Sequence, residues 1–202
     1  MKIKYHKQIV DMLDDEWDLG KKRPNAIGKI CAWIYWFEIL TDVEKIIIEK
    51  QDNKVVGVCG YSKWNSKKRY FRKKFYKILK NILIYSPFVK NRQAIKEYNK
   101  AYEYLPKNLE HYFDGEVAIL IVDKKYRGNK IGEKLLTNIF DLAYKDNMKN
   151  IQISTDESCN YKFYEKMNCK KVYETDVVNG EPNEDTDKFI EKGFIYERKL
   201  TQ

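Results

Sequence analysis

The positions of apolar and polar residues along the chain predict alternating strands and helices. A continuous apolar run at residues 117–122 suits a strand that is buried on both faces. After a loop, apolar residues recur every three or four positions at 133–146, which is typical of an amphipathic helix. A further strand at 151–154 completes a strand, helix and strand unit, which implies a parallel pair joined by a right-handed crossover.

Two hairpins are predicted outside that unit. Residues 44–49 and 55–59 are β-rich runs joined by a short Asp-Asn turn, and residues 171–178 and 189–198 flank an acidic turn. The remaining predicted elements are a short opening strand at 3–5, an aromatic-rich helix at 25–40 and a short helix at 158–167. Because the closing hairpin adds antiparallel pairing, the expected fold class is α/β (α+β), with a mixed sheet flanked by helices.

Residues 62–113 interrupt the strand pattern. Apolar residues recur there at helical spacing among lysines and arginines, which predicts a basic amphipathic helix near 67–84. A Ser-Pro pair ends this helix, and a second helical stretch is predicted at 92–104. We interpret the segment as a helical insertion within a single domain that spans residues 1–202.

Composition and charge limit the class of protein. The chain has 202 residues, 43% hydrophobic and 14% aromatic, as expected for a globular core and not for a disordered or low-complexity chain. Its net charge is +9, and residues 62–113 hold 14 Lys or Arg against 3 Glu, so this segment carries the whole basic excess. A nucleic-acid surface along the whole chain would spread its charge further, so no DNA partner is expected.

The sequence predicts neither a membrane span nor a metal centre. It has no long apolar run and no signal-peptide pattern, so a cytoplasmic protein without a transmembrane segment is expected. The cysteines at 31, 59, 159 and 169 match neither a zinc site nor a dense disulfide framework, and free thiols are expected. His6 and His111 also lack metal-ligand spacing.

The stretch from Val122 to Leu136 carries the candidate chemistry. A buried strand runs into a basic loop and then into a helix, so unpaired backbone N–H groups and the positive end of the helix meet in one place. Such a place binds phosphate, and Arg127 can add paired donors. The loop contains Gly128 and Gly132, but it has neither the Gly-Lys-Ser/Thr of a P-loop nor the GxGxxG of a dinucleotide fold.

These residues resemble a known family. The spacing Arg127-x-x-Lys130-x-Gly132 after the strand, followed about thirty residues later by Phe-Tyr-Glu-Lys at 163–166, is similar to the GNAT family of N-acetyltransferases. In that family the loop reads Arg or Gln, two residues, Gly, one residue, and Gly or Ala, and its amides bind the pyrophosphate of acetyl-coenzyme A. The resemblance covers about residues 116–172. It implies a mostly antiparallel sheet with a central parallel pair, and acetyl-coenzyme A as co-substrate.

The resemblance also implies which residues bind the cofactor. They are Leu120, Ile121, Val122, Arg127, Gly128, Asn129, Lys130, Ile131, Gly132, Glu133, Asn160 and Tyr164. Among them, Asn160 is expected to hydrogen-bond the pantetheine arm. Lys130 replaces the first glycine of the family loop; its Cβ need not clash if φ is negative, and its ammonium can reach a phosphate.

By the same resemblance, the amine attacks the thioester directly, and a backbone amide near Ile121 or Val122 stabilises the oxyanion. Tyr164 is the expected proton donor to the leaving thiolate, because a phenol is protonated at pH 7. Glu116 is the expected proton acceptor. The competing carboxylates are Asp114, Asp156 and Glu157. Cys159 raises the alternative of an acyl-cysteine intermediate. Neither histidine lies near Cys159 in sequence to act as its base.

The expected function is transfer of acetyl from acetyl-coenzyme A to a primary amine of a small-molecule or peptide acceptor. Two alternatives stay open: a non-catalytic acyl-coenzyme A sensor or regulatory module, and a basic interaction protein that uses only the insertion. Neither the acceptor nor the oligomeric state, a homodimer included, follows from the sequence. The helix near 67–84 has three interpretations: a cover for the core, a lid that favours acidic or phosphate-bearing acceptors, or a contact for membranes or nucleic acids.

Overall fold

The computed structural model describes residues 2–17, 25–64, 66, 70–87, 89, 112–179 and 189–201. The helices and strands, in chain order, are α1 (Ile3–Trp17), α2 (Asn25–Asp42), β1 (Val43–Gln51), β2 (Lys54–Lys63), α3 (Tyr70–Ile84), β3 (Gly115–Val122), α4 (Ile131–Lys145), β4 (Asn150–Asp156), α5 (Lys162–Lys166), β5 (Lys170–Asn179) and β6 (Phe189–Lys199). A 3₁₀ turn, Lys124–Tyr126, lies between β3 and α4.

The strands form a six-stranded mixed sheet in the order β1-β2-β3-β4-β6-β5. β1 and β2, β4 and β6, and β5 and β6 pair antiparallel, whereas β3 and β4 pair in parallel at Gly115 with Ile151 and at Glu116 with Gln152. The predicted fold class, a mostly antiparallel sheet with one parallel pair and flanking helices, is therefore confirmed. The handedness of the crossover stays a prediction.

The chain forms two compact units. The first comprises Met1–Lys90 and Val117–Asp146, and the second comprises Asn91–Glu116 and Asn147–Gln202. The expectation of one domain over the whole chain stays a prediction.

In the first unit, α1 packs against α2 and β2, and α4 packs against β2 and β1. β2 is buried from Val55 to Ser62, which explains its almost continuous apolar run. In the second unit, β6 is the central strand, because it pairs with β4 on one side and with β5 on the other. Its residues Phe194, Ile195 and Tyr196 are buried.

The predicted opening strand at 3–5 is wrong, because these residues begin helix α1. Their short apolar signal belongs to a longer helical repeat, in which Tyr5, Ile9 and Leu13 recur every four residues and are buried. Three residues are too few to distinguish a period of two from a period of 3.6, so the pattern that continues to Trp17 decides the structure.

The other predicted elements that lie within the described residues are confirmed, most of them with small changes of length. The first hairpin turns at Asp52 and Asn53, whose φ angles of 47° and 62° are those of a tight two-residue turn. The basic helix is α3, whereas the second predicted helix, 92–104, lies outside the described residues. The helix predicted at 158–167 is shorter, because Ser158 donates from its backbone and hydroxyl to the Asp156 carboxylate and the chain turns there first.

No helix in the described part of the chain is long and apolar enough to cross a membrane.

Gly57 of β2 allows α4 to approach the sheet closely. A β-carbon at this position would lie 2.8 Å from Leu135 Cδ1, 3.0 Å from Ile131 Cγ2 and 3.4 Å from the Ile121 carbonyl oxygen. Leu135 is 2% exposed and Ile131 6%, so neither side chain can move outward to make room. The missing side chain of Gly57 therefore sets the position of the first turns of α4.

Replacing Gly57 with valine should lower the free energy of unfolding by about 1–3 kcal/mol, because the added atoms overpack this contact. Urea denaturation followed by circular dichroism measures the change. In a Leu135→Ala background the same valine should be tolerated better, since the truncated side chain leaves space for it. Equal losses in both backgrounds would show that the Gly57 contact does not limit the packing.

Candidate functional site

The chain leaves β3 through a turn that Asp123 organises. The Asp123 amide donates to the Val56 carbonyl oxygen over 3.0 Å, which keeps the end of β3 beside β2. Its carboxylate accepts from the Lys125 amide at 3.0 Å and from Lys54 Nζ at 2.8 Å. Asp123 therefore caps the 3₁₀ turn and fixes the direction of the loop that follows.

The electrostatics of this pair follow from its surroundings. Partial burial favours a higher pKa for the Asp123 carboxyl, but the hydrogen bonds from Lys54 and the Lys125 amide outweigh it, so the pKa lies below its ordinary value of 3.8. The hydrogen bond to Asp123 raises the pKa of Lys54. Lys54 Nζ also lies 5.5 Å from the centroid of the Tyr126 ring. Both charges are therefore held in their ionised forms at neutral pH.

The N-terminus of α4 presents backbone donors. Its N-cap residue, Lys130, makes no side-chain capping bond, and the first helical bond runs from the Lys134 amide to the Lys130 carbonyl over 3.0 Å. The amides of Ile131, Gly132 and Glu133 precede this bond and lack acceptors within the helix. Together with the helix dipole, these donors make the turn suitable for an anion.

The loop geometry corrects the expectation for Lys130. Its φ is +57°, in the left-handed region, whereas a negative value was the condition for an unstrained side chain at this glycine position. Gly128 has a φ of +85°, and an added β-carbon there would meet nothing within 4 Å. Asn129 closes the turn through its amide, which donates to the Tyr126 carbonyl oxygen at 3.1 Å. The loop is therefore a sharply folded turn with open space beside Gly128.

Arg127 is bonded to the protein itself. Its Nε donates to the Val122 carbonyl oxygen at 3.1 Å, and its guanidinium pairs with the Glu16 carboxylate of α1. Lys124 joins the same end of α1, since its Nζ donates to the Asp15 carbonyl oxygen at 2.8 Å. Sequence reasoning missed Glu16, because more than a hundred residues separate it from the loop.

The remaining predicted binding residues of the first unit surround this turn. Ile121 is buried and Leu120 and Val122 are half-buried at the end of β3. Ile131 anchors the first turn of α4 in the core, whereas Glu133 is exposed. The sequence-predicted loop residues thus do converge on the end of β3 and the start of α4.

In the second unit, Tyr164 lies among aromatic rings. Its ring centroid is 5.4 Å from that of Phe163 and 5.7 Å from that of Tyr196, and the side chain is half-buried. The Tyr196 hydroxyl donates to Glu165 Oε1 at 3.0 Å, and burial together with this bond raises the pKa of Tyr196. The sequence offered no sign of Tyr196, which lies in a strand among other apolar residues.

A row of polar side chains crosses β3, β4 and β6 in the same unit. Gln152 is the register partner of both Glu116 and Glu197, and its Nε2 donates to Glu116 Oε2 at 3.2 Å. Gln152 and Glu197 are 3% and 6% exposed, and the Tyr112 hydroxyl donates to Glu197 Oε1 at 2.6 Å. This bond raises the pKa of Tyr112. Within the described residues, Gln152 Oε1 is buried without a hydrogen-bond partner.

The competing carboxylates differ in what they bind. Asp114 accepts from the amides of Lys149 at 2.6 Å and Asn150 at 3.1 Å, so it holds the chain at the start of β4. Asp156 is bonded to Ser158, whereas Glu157 is exposed. The two bonded carboxylates are therefore engaged in shaping local backbone.

Asn160 and Cys159 lie in the turn before α5. Asn160 is exposed and outside the helix, contrary to its expected place in the first helical turn, and its carbonyl accepts from the Phe163 amide at 3.0 Å. The Cys159 thiol has its pKa raised, first by partial desolvation and then by the charge of Asp156. This shift disfavours the thiolate that an acyl-cysteine intermediate requires.

None of the four cysteines at 31, 59, 159 and 169, all of which lie within the described ranges, forms a disulfide bond. His6 accepts a hydrogen bond from Trp36 Nε1 at 2.9 Å, which ties α1 to α2. Across the part of the chain that the structure describes, no cluster of three or more His, Cys, Asp or Glu residues is arranged to hold a metal ion. His111 lies outside that part.

Comparisons with known proteins agree with the fold. The family model for the acetyltransferase (GNAT) family matches residues 7–168. No curated protein matches the chain. PH1933 from Pyrococcus horikoshii OT3 is similar in structure, with a TM-score of 0.57 and 19% identity over 99% of this chain and 94% of that one. For smu.2055 from Streptococcus mutans UA159 the TM-score is 0.56 and the identity 14%, over 100% and 97%. At these identities the structural likeness shows the fold alone.

Replacing Lys130 with glycine should raise the free energy of unfolding by about 0.5–1 kcal/mol. The strain of a left-handed residue, about 1–2 kcal/mol, is relieved, and the greater freedom of glycine in the unfolded chain offsets part of the gain. Thermal and urea denaturation measure it. Lys130→Ala is the matched control, because it removes the same charge but keeps the β-carbon. An equal gain in the free energy of unfolding for both variants would show that the left-handed backbone at Lys130 is not strained.

Replacing Asp123 with asparagine should destabilise the protein at neutral pH by about 1 kcal/mol, a modest value because Lys54 is partly exposed. Folding lowers the pKa of Asp123, so the wild-type carboxylate stabilises the fold at every pH above the pKa that it has in the unfolded chain. This stabilisation is lost as the pH falls below about 4. Urea denaturation across pH should therefore show the two proteins converging in acid. Lys54→Met should reproduce the trend, and a pH-independent difference would refute it.

Proposed function

The chain belongs to the acetyltransferase (GNAT) family, and from this membership we propose that it transfers acetyl from acetyl-coenzyme A to a primary amine by direct attack. The observation that carries the proposal is the uncapped N-terminus of α4, which follows β3 through a sharply folded turn. A diphosphate needs several donors aimed at one place, and successive amides at a helix start supply them.

Each predicted binding residue has a role in this proposal. The amides of the turn and of the first residues of α4 bind the pyrophosphate, and the Lys130 ammonium adds a positive charge near it. The end of β3 offers backbone groups to the pantetheine arm and to the thioester oxygen. The residues proposed to bind the cofactor are Leu120, Ile121, Val122, Arg127, Gly128, Asn129, Lys130, Ile131, Gly132, Glu133, Asn160 and Tyr164.

The reaction requires two proton transfers. The lone pair of the neutral amine forms a bond to the thioester carbonyl carbon, an amide near Ile121 or Val122 stabilises the oxyanion, and the C–S bond then breaks. The leaving thiolate takes the phenolic proton of Tyr164. The proton released by the attacking nitrogen goes to Glu116, directly or through water.

The surroundings of Glu116 and Tyr164 support these roles. The amide of the nearly inaccessible Gln152 orients the Glu116 carboxylate, and a held carboxylate accepts a proton in a defined direction. Tyr164 is half-buried beside aromatic rings, which limits the motion of its ring. The acceptor that we propose is a small-molecule or peptide amine, and the proposed location is the cytoplasm.

Replacing Tyr164 with phenylalanine should lower kcat by roughly 10²–10⁴, the usual contribution of a positioned general acid. The Kd for acetyl-coenzyme A should change far less, because the aromatic ring that contacts the cofactor stays in place. Release of free thiol from acetyl-coenzyme A with a panel of amines measures kcat, and calorimetry measures binding. Tyr161→Phe is the matched control, since Tyr161 begins the same turn but packs on Phe194 at 4.7 Å.

The same measurements separate the competing functions. Uptake of acetyl-coenzyme A without thiol release for any amine would favour the non-catalytic sensor. No uptake of coenzyme A or its thioesters would refute the proposal altogether. An equal loss of kcat in Tyr161→Phe would mean that the phenol of Tyr164 has no special part in the reaction.

A further inference from the structure

Helix α3 exposes a line of large apolar side chains. Phe71, Phe75, Ile78, Ile82 and Tyr85, just past the helix, are 86%, 55%, 49%, 60% and 63% exposed. Their spacing of four, three, four and three residues places them along one side of the helix over about 21 Å. They are five of the eight large hydrophobic residues exposed in the described ranges, so this patch concentrates exposed apolar surface in one place.

A different side of α3 holds the helix on the protein. Tyr76 stacks on Phe37 of α2 with ring centroids 6.0 Å apart, and Lys73 Nζ lies 3.1 Å from Asp42 Oδ1. Lys80 pairs with Glu38, and Arg72 donates to the Val43 carbonyl oxygen. The helix is therefore attached through aromatic and charged contacts, and its most apolar line is not the surface that packs on α2.

The charge of α3 has one sign. It carries Arg72, Lys73, Lys74, Lys77 and Lys80 and no acidic residue. Three of these cations bond to α2 and β1, whereas Lys74 and Lys77 are exposed and form no ion pair within the described part of the chain. On a helical wheel these two lysines lie beside the apolar line, between it and the attached side. The exposed surface thus combines an apolar ridge with an adjacent positive edge.

We propose that this surface of α3 docks on an anionic lipid surface. The apolar ridge would enter the boundary between headgroups and acyl chains, and Lys74 and Lys77 would remain at the level of the lipid phosphates and carboxylates. Aromatic and aliphatic side chains next to lysines are the composition that such interfacial helices use. This inference is independent of the acetyl transfer proposed above.

The same charges argue against a second copy of the chain as the occupant. Pairing two α3 helices along this line would bring together four exposed lysines, Lys74 and Lys77 of each copy, with no acidic residue on either helix to balance them. The surface is also a ridge and not a groove, and a fluid lipid layer adapts to a ridge without a complementary shape. Charge and form therefore both favour the lipid surface.

Flotation of the full chain with vesicles tests the proposal. We expect binding to phosphatidylcholine vesicles that contain phosphatidylserine, weaker binding at high salt, and little binding to phosphatidylcholine alone. The double variant Phe75→Asp with Ile78→Asp should weaken binding by at least roughly tenfold, because it places charge in the ridge. Lys74→Glu with Lys77→Glu should weaken it by roughly ten- to a hundredfold, because it reverses the positive edge.

The controls keep the result decisive. Tyr144→Asp changes an exposed aromatic residue of α4 in the same way and should leave binding unchanged. Thermal melting and acetyl-coenzyme A binding should be the same in all variants; should the ridge variant unfold, the lysine variant still tests the surface. Absence of serine-lipid-dependent binding overturns the proposal. A dimer in sedimentation that the ridge variant dissociates, without vesicle binding, overturns it in favour of a second copy.

Discussion

The approach of α4 to β2 is the contact on which the candidate anion site depends. Because Gly57 has no side chain, Ile131 and Leu135 pack directly against the strand, and the first turn of the helix is fixed by buried atoms. Ile131 is both a core residue and the first residue of the helix. The backbone amides of the first turn are therefore held in place by a buried side chain. A donor array that is already ordered loses little conformational entropy when an anion binds.

Asp123 completes this arrangement from the other side of the loop. Its amide continues the bonding of β3 to β2, while its carboxylate starts the turn and neutralises Lys54. One residue thus sets both where the strand stops and where the chain goes next. The GNAT family membership gives this geometry its meaning, because the fold alone would be compatible with other functions.

The sequence predicted the parts of the fold where local and tertiary signals agree. The apolar run at 117–122 forms the predicted strand and Asp52-Asn53 forms the predicted turn. The expected burial of that strand on both faces is wrong, because Ile119 and Ile121 are buried whereas Leu120 and Val122 are half-buried. The prediction of an opening strand was wrong because three residues cannot define a period. The predicted start of α5 was wrong because the Asp156 carboxylate accepts the Ser158 amide, which turns the chain before the helix begins. The loop residues could be named from their spacing, but the sign of φ at Lys130 could not, since it depends on the whole turn.

Contacts between segments that are distant in the chain could not be predicted from the sequence. Nothing local connects Gln152 with Glu116 and Glu197, because strand register alone brings them together. The basic helix was recognised as amphipathic, yet periodicity cannot say which of its sides packs on a neighbour. In the structure Tyr76 packs against the core and Leu79 and Leu83 are half-buried, whereas Phe71, Phe75, Ile78 and Ile82 of the same repeat are exposed.

The pairing of Arg127 with Glu16 has a consequence for ligand recognition. An anion that binds Arg127 must either share its guanidinium with the Glu16 carboxylate or displace that carboxylate, so repulsion or exchange between two negative groups offsets part of the attraction. Added salt weakens the resident pair as well as the incoming one. The affinity of Arg127 for an anion should therefore fall less steeply with ionic strength than the affinity of an arginine that has no carboxylate partner.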